Sequence, residues 1–155
     1  MVKRLAEMPE GEARHLARIE CPTYEDTPPL AGDALARRRV VIISTAGLHR
    51  RGDRSFRPGD GSYRVIPAET PARDLVMSHI SVNFDRSGFQ QDINVVFPID
   101  RLRELERDGE IGSLAKFHYS FMGAAGRPRD FEPAAREVAG MLKEDGVNAV
   151  LLCPV

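Results

Sequence analysis

The sequence predicts an α/β fold, a layered sandwich in which helices cover a mostly parallel sheet. Apolar runs of strand length alternate with helical patterns along the chain, which is typical of this class. Residues 40–43 (VVII) form a continuous apolar run, as in a strand buried on both faces. Residues 131–145 carry an apolar stripe at helical spacing. The 155 residues suit one domain, since domains cluster at about 100–150 residues.

The first half of the chain is predicted to hold one helix and three strands. Residues 9–19 are predicted as a helix because Pro9 suits a first turn and apolar residues share one face. A proline-rich connection follows, so residues 1–36 form a helix and a linker, and residues 37–155 form the core. Strands are predicted at 40–43, 63–66 and 75–81, with a long polar surface loop over 48–62.

The second half is predicted to alternate strands and helices. Residues 93–97 are predicted as a strand, and Pro98 opens a helix that Asp108 and Gly109 end. Residues 114–122 are ambiguous, but their aromatic residues favour a strand. Asp130 is predicted to cap the helix 131–145, which Gly146 ends, and residues 147–152 return as a strand.

Composition excludes several classes of function. The 22 basic and 23 acidic residues balance to a net charge of −1, which argues against a generic nucleic-acid binder. No run approaches the roughly 20 apolar residues of a membrane span. The first residues lack the apolar core of a signal peptide, and two cysteines make no disulfide framework. We therefore expect a cytoplasmic protein that does not act at a membrane.

The charge is unevenly distributed, and residues 37–64 carry eight arginines against Asp53 and Asp60. One interpretation is a solvated loop whose arginines reflect a GC-rich genome. The other is capture of a carboxylate substrate or an acidic partner, because guanidinium groups bind carboxylates bidentately.

Polar side chains follow the predicted strands at their carboxyl ends, where open α/β sheets bind ligands. Two imidazoles, a thiol and carboxylates at one edge favour thiol chemistry, since a neighbouring histidine promotes the thiolate. The candidates are Thr45, His49 and Asp53 after the strand 40–43, His79, Asn83, Asp85 and Arg86 at the carboxyl end of the strand 75–81, and Cys153 at the last strand.

Each candidate also has an ordinary structural interpretation. A histidine within a strand is often a hydrogen-bonded core residue, and Cys153 at a strand end is often an inert apolar side chain. A metal site is a further alternative, with His49, Asp53, His79 and His118 as ligands. None of the usual metal-ligand spacings is present in the sequence, and neither are the phosphate-binding loops or the nucleophile elbow.

Five blocks of sequence resemble one family. Residues 45–49 (TAGLH) and 61–67 (GSYRVIP) resemble the amino-terminal part of the selenoprotein B family, which includes the glycine, sarcosine, betaine and D-proline reductases. Residues 78–86 (SHISVNFDR), 97–102 (FPIDRL) and 112–123 (GSLAKFHYSFMG) are more specific. The resemblance covers roughly residues 39–155, and the length is closer to the short D-proline type.

The resemblance implies an oxidoreductase subunit that reductively cleaves a carbon–nitrogen bond of an amino acid or amine. In the D-proline type, a pyruvoyl group on a partner subunit holds the substrate and a selenolate or thiolate of this subunit attacks its α-carbon. A cysteine then resolves the product, and a dithiol reductant restores the enzyme. The resemblance implies no cofactor bound to this chain itself.

The resemblance also suggests roles for the candidates. His49, His79 and Asp85 are the catalytic candidates, with a histidine that stabilises a selenolate or donates a proton. The candidates for substrate binding are Thr45, Asp53, Asn83 and Arg86. Among the basic residues, Arg86 or an arginine of 50–57 would bind a carboxylate of the substrate. Cys153 is a candidate auxiliary thiol.

The sequence departs from the family at its end. The family's nucleophile motif, U-x-x-C or C-x-x-C, follows the strand that reads 149–152 here, and the sequence stops at Val155. We expect a UGA codon for selenocysteine directly after Val155. A chain without that motif is expected to be inactive and to self-associate through its uncovered last strand. Two other functions stay open, a non-catalytic amino-acid-binding or regulatory module and a metal-dependent hydrolase.

Overall fold

The computed structural model describes residues 5–23, 31–81, 86–124 and 126–155. The helices are α1 (Glu10–Ala17), α2 (Ser87–Gln91), α3 (Ile99–Arg107) and α4 (Glu132–Glu144). The strands are β1 (Arg39–Ser44), β2 (Leu48–Arg50), β3 (Arg64–Pro67), β4 (Leu75–Met77), β5 (Ser113–Leu114), β6 (Phe117–Ser120) and β7 (Ala149–Cys153).

Strand β1 is the centre of the main sheet. It pairs in parallel with β7 along almost its whole length, from Val40 opposite Ala149 to Ser44 opposite Cys153. Its other side pairs in parallel with β5 and then with β6, and β3 adds an antiparallel edge beyond β6. The predicted α/β fold with a mostly parallel sheet is confirmed.

Two apolar layers lie on opposite faces of this sheet because neighbouring residues of a strand point in opposite directions. Ile42 belongs to the layer that contains Phe97 and Leu102, at α3. Val41 belongs to the layer that contains Val138 of α4. The continuous apolar run in β1 is therefore required by burial on both faces, as the sequence predicts.

A buried histidine side chain bonds to β1 between the part of β1 that pairs with β5 and the part that pairs with β6. Beside β1, β5 pairs with Arg39 and Val40, whereas β6 pairs with Ile43 and Ser44. At this break, the Ile42 amide donates a 3.0 Å hydrogen bond to Nδ1 of His118. The ring is fully buried and packs edge-to-face on Phe97. Burial, followed by the charge of Arg103, lowers the pKa of His118 to about 4.

Most predicted elements are confirmed, with boundaries moved by a few residues. The helices at 9–19, after Pro98 and at 131–145 correspond to α1, α3 and α4, and the strands at 40–43, 63–66 and 147–152 to β1, β3 and β7. The ambiguous segment 114–122 contains the end of β5 and all of β6. Gly109 and Gly146 follow α3 and α4 with φ near +75° and +68°, a conformation that favours glycine.

The predicted strand at 93–97 is wrong. Residues Ile93–Val95 form a 3₁₀ turn that Asp92 caps by accepting the amide of Asn94. The segment still buries Val96 and Phe97, so its apolar character reflects packing beneath the sheet.

Three further predictions need correction. The predicted loop at 48–62 contains β2, and the predicted strand at 75–81 is only the three residues of β4. These two strands pair antiparallel in a small sheet of their own, because the chain folds back at Gly47 after β1. Asp130 does not cap α4, since its carboxylate accepts the amide of Arg127 and so caps the preceding 3₁₀ turn, Pro128–Phe131.

Strand β7 leaves one face open. Val150 is 47% exposed and Leu152 is 66% exposed, whereas Leu151 and Cys153 pack against the apolar layer on the other face. No helix within the described residues is long and apolar enough to cross a membrane.

Asp145 joins the end of α4 to the sheet, and we expect its replacement to be costly. Its carboxylate accepts the amide of Lys116 at 2.9 Å and pairs with Arg39 at 2.8 Å. Although burial raises the pKa of Asp145, the Lys116 and Arg39 bonds outweigh that effect, and the pKa lies below its usual value. Asp145→Asn should lower the free energy of unfolding at pH 7 by about 2 kcal/mol in a urea titration.

The adjacent exposed residue provides the control for Asp145. Glu144→Gln also removes one negative charge at the end of α4, and it should change the free energy of unfolding by less than about 0.5 kcal/mol. Equal effects of the two substitutions would contradict a specific role for Asp145.

Candidate active site at the carboxyl edge of the sheet

Three neighbouring parallel strands end at one edge, and the residues after them are in contact. Thr45 follows β1, Gly123 lies beyond β6, and Val155 lies beyond β7. The Thr45 hydroxyl accepts the Val155 amide at 2.8 Å and donates to the Val155 carbonyl at 3.3 Å. The Thr45 amide donates to the Cys153 carbonyl at 3.1 Å, and its carbonyl accepts the Gly123 amide at 2.8 Å. Thr45 therefore connects the residues that follow all three strands at this edge.

His79 reaches the same edge from outside the main sheet. It follows β4, and the Ser78 amide donates to the Gly47 carbonyl at 3.0 Å, so the segment crosses the turn after β1. Gly47 permits this approach, because a Cβ there would lie 3.1 Å from the His79 nitrogen and its φ is +67°. His79 is buried, and its ring lies near the backbone of Val155, which acts on its pKa.

The hydrogen bonds of His79 define its protonation. Nδ1 accepts the Ser81 amide at 3.3 Å, so the neutral ring carries its proton on Nε2. Burial and the nearby charge of Arg86 lower the pKa of His79, and the nearby backbone of Val155 raises it by a smaller amount. At neutral pH the residue is thus an uncharged hydrogen-bond donor beside the end of β7.

Arg86 is close to His79 but is already engaged. Its guanidinium donates to the His79 carbonyl and lies 3.5 Å from the Ser81 carbonyl. These bonds brace the segment that carries His79.

Cys153 lies at the end of β7, on the face that packs against the core. Partial burial raises the pKa of its thiol, so the thiol form predominates at neutral pH. In this environment the side chain is a poor nucleophile, and an auxiliary redox role for Cys153 stays a prediction.

A cavity of about 330 Å³ opens at this edge. Its lining is mainly apolar, with the hydroxyl of Thr45 at one side, and consists of Thr45, Phe121, Gly123, Phe131, Ala135 and Val155. A volume at the lower limit of ligand pockets suits a small molecule.

Comparison with known proteins identifies the family. Residues 62–154 match the model of the glycine/sarcosine/betaine reductase selenoprotein B family. The chain belongs to this family. The matched segment runs from just before β3 to just after β7 and therefore includes four of the five strands of the main sheet.

Three curated relatives carry the names of reductase components. The chain is 41% identical over 115 residues to D-proline reductase subunit gamma of Acetoanaerobium sticklandii, a match that covers 73% of this chain and 47% of that protein. It is 31% identical to sarcosine reductase complex component B subunit beta of Peptoclostridium acidaminophilum, over 84% of this chain and 31% of the relative. It is 38% identical to glycine reductase complex component B subunit gamma of Symbiobacterium thermophilum, over 97% of this chain and 36% of that protein.

The matches therefore span about half the length of the D-proline reductase subunit and about a third of the other two. No solved structure is significantly similar to the chain. All three relatives are named as subunits of reductases or of reductase complexes.

Other predicted site residues lie elsewhere in this family member. Asp53 pairs with Arg50 at 3.1 Å and lines a separate cavity of about 520 Å³ that shares no lining residue with the first. His49 lies on β2 opposite Val76, and its buried ring donates from Nδ1 to the Arg50 carbonyl at 2.9 Å. Asn83 and Asp85 fall outside the described residues. The structure therefore brings together Thr45, His79, Arg86 and Cys153, and it does not bring Asp53 to them.

Two arginines of the arginine-rich segment 37–64 form ion pairs with carboxylates of the same chain. Arg39 pairs with Asp145, and Arg64 pairs with Asp60 at 3.0 Å while its guanidinium stacks 4.2 Å from the Phe56 ring centre. These arginines form ion pairs within the fold, which neither the solvated-loop nor the carboxylate-capture interpretation predicts.

The alternative of a metal-dependent hydrolase requires a group of side chains that can bind a metal ion. Across residues 5–23, 31–81, 86–124 and 126–155, no three histidine, cysteine or carboxylate side chains gather as a metal site. His118 in particular is enclosed within the sheet, where its Nδ1 accepts the Ile42 amide.

Gly123 and Phe131 line the cavity but are not among the site residues predicted from the sequence. Gly123 ends the block 112–123 that carries the resemblance, which was the available signal. Phe131 belongs to the apolar pattern of the last helix, and nothing in that pattern distinguishes a cavity wall from a core residue.

Proposed function

We propose that the chain carries the redox nucleophile of an amino-acid or amine reductase complex and cleaves a carbon–nitrogen bond of the substrate. Membership of the selenoprotein B family supports this proposal, as do relatives named D-proline, sarcosine and glycine reductase components. Cleavage consumes two electrons and two protons, which a dithiol reductant supplies as it becomes a disulfide. One proton ends on the departing nitrogen and the other on the α-carbon.

The observation that carries the proposal is the contact of His79 and Thr45 with the backbone of Val155. In the family, the nucleophile motif is expected directly after β7, so these side chains surround the start of that motif. A selenolate or thiolate in the motif would supply the nucleophile, and a pyruvoyl group on a partner subunit would hold the amine.

The residues of this chain fit an anionic nucleophile at this edge. His79 presents a donor, Nε2–H, beside Val155, and a hydrogen bond to an anion stabilises it and lowers the pKa of the corresponding acid. Burial, and then the nearby charge of Arg86, keeps the His79 ring neutral, and Arg86 also adds a positive potential. Phe121 and Phe131 form an apolar wall of the cavity at this edge.

The complete protein provides the direct test. Assembled with its partner subunits and a dithiol, it should open the ring of D-proline, or release an amine or ammonia from glycine, sarcosine or betaine. A folded, assembled protein that reduces none of these substrates would contradict the proposal.

Binding of these amino acids without turnover by the complete assembled protein would instead favour the non-catalytic binding module. Each substrate should therefore be tested both for release of product and for binding by calorimetry.

A further inference from the structure

We propose that Thr45 is a positioning residue whose hydroxyl fixes the backbone of Val155 beside His79. This role replaces the substrate contact expected from the sequence. Its catalytic meaning rests on the proposed function, in which the nucleophile follows β7, whereas the positioning itself is a property of the described fold.

The hydroxyl bonds both polar backbone groups of a single residue. It accepts the Val155 amide at 2.8 Å and donates to the Val155 carbonyl at 3.3 Å. A hydroxyl has one donor and two acceptor sites, so its donor and one acceptor are already used. Thr45 therefore has no proton left to donate to a substrate while these bonds persist.

The main chain of Thr45 anchors this hydroxyl to two strands. Its amide donates to the Cys153 carbonyl at 3.1 Å, and its carbonyl accepts the Gly123 amide at 2.8 Å. The position of the hydroxyl is thus set by β7 on one side and by the end of β6 on the other.

Gly123 supplies the space that the contact needs. A Cβ at this position would lie 2.7 Å from the Val155 carbonyl oxygen and 3.1 Å from the Thr45 side chain. The φ of Gly123 lies outside the left-handed region, so here glycine is required for close approach and not for backbone conformation. An alanine would push Val155 away from Thr45.

Two substitutions separate the hydroxyl from the shape of the side chain. Thr45→Val keeps the branched shape and removes both bonds, whereas Thr45→Ser keeps the hydroxyl. Amide hydrogen exchange of the complete protein, followed by NMR, reports on the Val155 amide directly. We expect Val155 to exchange about tenfold faster in Thr45→Val and within about twofold of wild type in Thr45→Ser.

Gly123→Ala provides an independent variant, since it displaces Val155 while the Thr45 hydroxyl is still present. We expect it also to accelerate exchange at Val155. The amides that join β7 to β1 serve as the internal control, and unchanged exchange there shows that the sheet is intact. Unchanged exchange at Val155 in Thr45→Val, or equally fast exchange in Thr45→Ser, would overturn the proposal.

The catalytic consequence has a separate readout in the assembled reductase. Thr45→Val should lower kcat about tenfold with little change in KM, and Thr45→Ser should restore it. Failure of the proposed reductase function would remove this activity readout and leave the exchange result unaffected. An exchange difference between the variants without a kcat difference would show that Thr45 positions Val155 without serving catalysis.

Discussion

Acidification from pH 6.5 to pH 4 should lower the free energy of unfolding by about 3 kcal/mol through His118 alone. The pKa of His118 is about 4 in the folded protein and near 6.5 when the chain is unfolded. Each unit of difference is worth about 1.4 kcal/mol. The ring is fully buried within the sheet, so solvent screening does not reduce this effect.

Burial, and then the charge of Arg103, makes the folded protein resist protonation of His118, and the hydrogen bond from Ile42 is also incompatible with a charged ring. Neutral Nδ1 accepts the Ile42 amide at 3.0 Å, whereas a charged ring carries a proton on both nitrogens. Protonation would therefore place two donors face to face and bury a charge beside Phe97. The unfolded chain binds the proton more readily, so the stabilisation is complete above pH 6.5 and is lost as the pH falls toward 4.

Two substitutions of His118 test this account by urea titration at several pH values. Asparagine places an acceptor oxygen near the Nδ1 position and does not titrate, so His118→Asn should lose the His118 part of the pH dependence. His118→Leu also removes the acceptor and should be less stable than His118→Asn by about 2 kcal/mol at pH 7.5. If both variants keep the wild-type dependence between pH 4 and 6.5, another group is responsible.

Replacement of His79 should remove turnover in the assembled reductase. His79→Ala is expected to lower kcat by at least about 100-fold, the lower range for loss of a positioned proton donor. The expectation rests on the proposed function and on the position of the His79 ring near the Val155 backbone. Steady-state measurement of substrate reduction with a dithiol reductant checks it.

His15 provides a matched control, because it is an exposed histidine on α1. His15→Ala should leave kcat and KM within about twofold of wild type. Thermal melts of both variants separate loss of catalysis from loss of fold. Unchanged turnover in a folded His79→Ala enzyme would contradict the assignment of His79.

Elements with a long and regular pattern could be predicted from the sequence. Helix α4 has the apolar spacing of a helix over 13 residues, and β1 is an uninterrupted apolar run. The structure of residues 93–97 could not be predicted in this way, because a run of five residues contains too few positions to distinguish a strand from a 3₁₀ turn. There the Asp92 carboxylate, which accepts the Asn94 amide, decides the outcome.

The residues of the candidate site could also be predicted only in part from the sequence. His79 and Thr45 could be named because they follow apolar segments within blocks that resemble the family. The sequence predicts His79 at the end of a strand of the main sheet, whereas β4 pairs only with β2 among the described strands. His79 reaches the edge through contacts with Gly47 that no local pattern encodes.

The order of residues thus sufficed for the family, the α/β class and the principal helices and strands, because periodicity and motif are local properties of a chain. The tertiary structure alone decided that Thr45 and His79 meet at Val155 while Asp53 lines another cavity. The contact between Thr45 and Val155 joins residues 110 positions apart. It depends on the parallel register of β1 and β7, which is set by the packing of both faces of the sheet at once.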